Sequence, residues 1–169
     1  LGKSKGKRIK EAFDKNVLNL IDKLLLSDNI IIKPMPMCTN SYGGDDRWYL
    51  RNLLGERVFC ENIDSSLLNS ELSPINYLAE FKHCDLSLAM RFHSVLFSLG
   101  TGTKPFVFDY TLGEGKVNSL IKRFDLMNYN LIDKSNIVLG EYLNDTTVNF
   151  FEFDELKFER IFSYQLKRI

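Results

Sequence analysis

Between Ile9 and Leu26, apolar side chains recur at Ile9, Phe13, Val17, Leu20, Ile21, Leu24 and Leu25. Intervals of three and four predict an amphipathic helix, closed by Ser27-Asp28-Asn29. The run IIIKPMPM follows, with β-branched residues and then two prolines, which predicts a buried strand at Ile30–Ile32 entering an irregular loop from Pro34 to Gly44. Asp45 and Asp46 precede RWYLRNLL, where an acidic pair suits the positive end of a helix that Gly55 would stop. RVFCENI (Arg57 to Ile63) has the make-up of a short strand, and SPINYLAEFKHC that of a helix with Ser73 as N-cap and Pro74 in its first position. The alternation continues through the strand CDLSLAM, the short helix HSVLFSLGTG ending at Gly100 or Gly102, the strand PFVFDY and a helix from about Val117 to Phe124. Helical periodicity returns from Phe153. Strands alternating with helices predict an α/β domain with a mostly parallel sheet.

Composition narrows the classes. The 169 residues suffice for one domain spanning 1–169, and 44% of them are hydrophobic, enough to fill a core. Lys+Arg and Asp+Glu both number 22, so the balance favours neither nucleic acid nor an anionic membrane. Cys38, Cys60 and Cys84 are widely spaced and form no CxxC, which disfavours a disulfide framework or a zinc site and reads as buried thiols in a reducing compartment. The apolar runs are too short and too charged to span a membrane, and no signal-peptide core follows the basic start, so a cytoplasmic location is expected.

Ligands of open α/β sheets bind beyond the carboxyl ends of the strands, so the strand-to-helix junctions carry the information. Three combine polar side chains with a helix start: Pro34 to Asp46, Met90 to Ser94, and Asp109 to Lys116. An anion over His93 and Ser94 would meet helix N-terminal amides, the Arg91 guanidinium and an imidazole able to deliver a proton. Plainer readings stand beside these. Arg91 alone is a strand-end charge, Asp45 and Asp46 are N-capping residues as readily as partners for sugar hydroxyls, and Lys116 is a solvated helix residue. GEGK lacks P-loop spacing, His83 suits a helix C-terminus, and Trp48 is expected to pack a helix rather than stack on a sugar.

The stretch CDLSLAMRFHSVLFSLGTGTKPFVFDYTLGEGKVNSLI resembles the polysaccharide pyruvyl transferase family in the order of its strand, R-x-H-S turn, short helix, Pro-led strand ending in Tyr110, and downstream Lys116. The likeness extends back through SPINYLAEFKHCDL, the Asp45-Asp46 pair and IIIKPMPM, covering about residues 30–126. It implies a Rossmann-like three-layer sandwich similar to the C-terminal half of a GT-B-like fold. It also implies transfer of pyruvate from phosphoenolpyruvate to sugar hydroxyls as a ketal, in cell-surface polysaccharide synthesis. On this resemblance Arg91 binds the donor's carboxylate or phosphate and His93 is the general acid, with Ser94, Tyr110, Lys116, Asp45 and Asp46 as further substrate contacts. Phosphoenolpyruvate is then the donor substrate and a saccharide, free or lipid-linked, the acceptor; no metal or cofactor is implied.

Opening on Leu1 rather than Met suggests a fragment of a longer protein or a processed chain, and the resemblance implies the C-terminal part of a two-domain enzyme. Two other readings of the same junctions are a GT-B-type glycosyltransferase domain binding a nucleotide sugar and a non-catalytic assembly module of a polysaccharide-synthesis complex.

Overall fold

The computed structural model describes residues 2–39, 44–109 and 115–126. Tyr110 and the periodic tail from Phe153 therefore lie outside the described residues. Helices dominate a mixed α/β arrangement: α1 (Gly2–Leu24), α2 (Asp46–Leu54), α3 (Pro74–Lys82), β1 (Leu86–Ala89), α4 (Phe92–Thr101), β2 (Lys104–Val107) and α5 (Lys116–Arg123). The two strands pair in parallel, with Leu86 opposite Lys104 and Ala89 opposite Val107. A parallel pair needs a crossover, and α4 supplies it.

Side-chain alternation along the strands divides the interior in two. Phe106 and Phe108 point into a core built from Phe13, Val17, Leu20, Ile21 and Leu24 of α1 with Leu53 and Leu54 of α2. Ala89 and Val107 face the other way, toward Val95 of α4 and Val117, Leu120 and Ile121 of α5. Phe106 is 0% exposed, and the edge of Phe13 meets Phe108 at 5.8 Å between ring centroids. The carboxyl end of β1 is thus clamped from both faces.

Local chemistry explains the element ends. The Ser73 side chain accepts from the Asn76 amide at the start of α3, with Pro74 in the first turn, and His83 terminates that helix. Gly102 closes α4 at φ 79, a left-handed conformation that glycine adopts without steric cost.

Two expected strands take another form. Ile30–Ile32 makes a single parallel bridge, Ile32 to Ile63, in which the Ile32 amide donates to the Asn62 carbonyl and the Asp64 amide to the Ile32 carbonyl. Pro34 and Pro36 have no N–H with which to extend that ladder. Of RVFCENI, Arg57–Phe59 join a 3-10 turn at Gly55–Phe59, with Val58 packed inward and Phe59 exposed, and Ile63 alone makes the bridge. Trp48 is also misread by the sequence: it is 72% exposed and packs into no core. Cys60 is exposed and Cys38 and Cys84 are half-buried, so none is a buried core thiol.

The contact between α1 and α2 includes a polar lock. The half-buried Tyr49 hydroxyl donates to the Asp14 carboxylate at 2.5 Å. Burial first, and then that bond, hold the Tyr49 hydroxyl well above its ordinary pKa of 10.0. A raised folded-state pKa means that the stabilisation is complete below the ordinary value and is lost as pH climbs through the folded one. Unfolding by urea should therefore become easier above pH 10, and Tyr49→Phe should make that decline shallower; an identical decline in the variant would show that Tyr49 is not its source.

Candidate functional site

At the end of β1 the chain turns into α4 within two residues, and Arg91 occupies the N-cap in an extended conformation, φ −99 and ψ 149. Arginine is an unusual N-cap. It has no acceptor for the first helical amides, and its charge repels the positive helix end. Ser94 does the local work instead: its hydroxyl accepts the Arg91 amide at 3.1 Å and donates to the Arg91 carbonyl at 2.6 Å. A hydroxyl seam then ties helix to strand, as Ser98 donates to the Ser94 carbonyl at 2.7 Å and meets the Ser87 hydroxyl at 2.6 Å.

The charge of Arg91 is answered by Asp46, the first residue of α2, which is 8% exposed. Asp46 Oδ1 pairs with Arg91 Nη2. Its Oδ2 accepts the Met37 and Cys38 amides at 3.1 and 2.9 Å, and its own amide donates to the Cys38 carbonyl at 2.8 Å. The Tyr77 hydroxyl fastens the same loop by donating to the Pro36 carbonyl. One carboxylate therefore joins the proline loop, α2 and the Arg91 turn.

The neighbouring Asp45 serves α2 itself. It is the N-cap, accepting the Arg47 amide at 2.9 Å, and the Arg47 guanidinium closes on its carboxylate at 3.0 Å from Nε and 2.8 Å from Nη2. That guanidinium, foremost by its hydrogen bond, holds the Asp45 carboxyl below the usual carboxylate range.

His93, in the first turn of α4, is exposed, with the Phe92 ring 5.6 Å away edge-on and the Phe97 ring at 6.5 Å. Lys116 starts α5 behind Gly115 and is exposed. The structure thus brings Arg91, Ser94 and Asp46 together, with His93 on the same turn. It places Asp45 one residue away in a cap and Lys116 at the start of α5. Asp109, which opens the third junction, is 2% exposed just beyond β2, although the sequence assigned it no role of its own. Sequence reasoning passed over Tyr77, whose loop contact has no sequence signature.

A half-exposed, anchored guanidinium at a helix N-terminus beside an exposed imidazole can hold an oxyanion and move a proton. Among the described residues no group of three or more His, Cys, Asp or Glu could hold a metal ion, and no helix is long and apolar enough to cross a membrane. The family model described as Polysaccharide pyruvyl transferase matches residues 3–111, a span that takes in α1 through β2 and ends before Lys116. No curated protein and no solved structure matches the chain.

Ser94→Ala should lower stability by about 1 kcal/mol, the usual worth of a hydrogen bond, because it removes the acceptor for the Arg91 amide. Urea denaturation followed by circular dichroism measures this, and an unchanged midpoint would mean that water replaces the hydroxyl at no cost.

Proposed function

Because the chain belongs to the polysaccharide pyruvyl transferase family, a family of transferase enzymes, we propose that it supplies the donor-side domain for transfer of pyruvate from phosphoenolpyruvate to a saccharide. The observation that carries this reading is the anchored Arg91 at the N-terminus of α4 with His93 exposed on the same turn. In this reading Arg91 binds the carboxylate or phosphate of the donor. Helix N-terminal amides add to the attraction for an oxyanion.

His93 then works as general acid and base. Its proton goes to the methylene carbon of phosphoenolpyruvate as a sugar hydroxyl oxygen bonds to the adjacent carbon, and the imidazole regains a proton from that hydroxyl. A second sugar hydroxyl bonds to the same carbon while the carbon–oxygen bond to phosphate breaks. Inorganic phosphate leaves with the second hydroxyl's proton, and a ketal remains. Arg91 offsets charge on the departing phosphate.

The acceptor would approach from a second domain across a GT-B-like cleft, with a Rossmann-like sandwich here forming the donor wall. Such a reaction belongs where phosphoenolpyruvate is available, in the cytoplasm, within cell-surface polysaccharide synthesis. Lys116 and Tyr110 are proposed donor contacts contributed from beyond β2, and Asp45 a proposed contact for a sugar hydroxyl.

Calorimetric titration with phosphoenolpyruvate, using a nucleotide sugar as control, tests the donor site. Arg91→Ala should weaken binding at least ten-fold, roughly the loss expected for one charge-assisted contact. His93→Ala should keep donor binding yet slow transfer in the intact enzyme by about 10²- to 10⁴-fold. A His93→Ala enzyme transferring pyruvate at full rate would remove His93 from the mechanism, and saturable binding of only the nucleotide sugar would replace the donor.

A further inference from the structure

We infer that Asp46 is a positioning residue for the donor site, acting through Arg91 rather than on a sugar hydroxyl; this rests on the proposed role of Arg91. Three observations lead there. Arg91 stands at an N-cap where local preference and the helix dipole both disfavour it, so something outside α4 must hold its side chain. Asp46 is almost enclosed, and its two oxygens are turned to the Arg91 guanidinium and to the Met37 and Cys38 amides. The ion pair is only partly solvated on the Arg91 side, so bulk salt screens it weakly.

The arrangement couples a remote loop to the donor. The proline-led segment that sets the position of Met37 and Cys38 also sets the carboxylate, and the carboxylate sets the direction of the guanidinium fork. A misdirected fork loses bidentate contact with an oxyanion even though its charge persists. Asparagine at position 46 keeps an oxygen for the loop amides but offers Arg91 no charge, so it isolates the coupling.

The test is phosphoenolpyruvate titration of the 169-residue chain as wild type, Asp46→Asn, Arg91→Ala, the double variant and Tyr77→Phe. Asp46→Asn should weaken binding about ten-fold, the worth of one charge-assisted hydrogen bond, and should add nothing in the Arg91→Ala background. Tyr77→Phe removes the hydroxyl that fastens the same loop at Pro36 and should weaken binding less than Asp46→Asn does, because the carboxylate still holds both loop amides and Arg91. Wild-type affinity in Asp46→Asn, with binding lost in Arg91→Ala, overturns the positioning role and leaves the donor reading intact. Retained binding in Arg91→Ala overturns the donor reading and this inference with it. A second readout is the Arg91 Nε–H resonance in nitrogen-15 spectra, assigned through Arg91→Lys. It should be sharp in the wild type and broadened in Asp46→Asn; an unchanged resonance contradicts the role. If Asp46→Asn does not fold, Asp46→Glu carries the same comparisons, because its longer side chain displaces the carboxylate.

Discussion

A carboxylate removed from water needs partners for both oxygens, and Asp46 finds them in two places that are far apart in sequence. One oxygen gathers the Met37 and Cys38 amides and the other pairs with Arg91. Because neither set of partners belongs to its own helix, the carboxylate dictates where the proline loop lies and where the guanidinium points. The alternative, a buried charge without compensation, costs more than the ordering of these groups. Asp45, one residue earlier and better exposed, spends its acceptors within its own helix start and makes no such demand.

The two-faced interior makes this constraint effective. Phe106 and Phe108 hold β2 against α1 and α2, while Val107 holds it against α5. β1 is registered to β2 residue by residue, so the turn after Ala89 has little freedom, and the hydroxyl seam through Ser87, Ser98 and Ser94 fixes the start of α4. Arg91 consequently leaves a rigid backbone, and only its side chain requires outside support. A side chain placed on such a frame can violate local rules, here an N-cap filled by a cation, because the surroundings compensate.

Much of this was legible in the amino-acid order. The spacing from Phe13 to Leu24 named the buried face of α1, Ser73-Pro74 named the start of α3, and the R-x-H-S turn named the place where strand becomes helix. Other features were hidden for physical reasons. Ile30–Ile32 and RVFCENI have strand composition, but a strand exists only where a neighbouring backbone offers a ladder, and prolines end this one after a single bridge. Asp46 resembled a second capping residue, since dipole and capping preferences explain an acid at that position as well as a long-range ion pair does. Pairing across forty-five residues is a tertiary fact with no local trace. The exposure of Trp48 and Cys60 was likewise undetermined, as either residue type is commonly buried.

The most direct measurement is a nitrogen-15 chemical-shift map of the chain titrated with phosphoenolpyruvate. The donor-site account expects saturable shifts centred on the amides of Arg91, Phe92, His93 and Ser94, carried through Asp46 to Met37 and Cys38. Shifts that saturate elsewhere, or that leave the Arg91 turn unmoved, would contradict it.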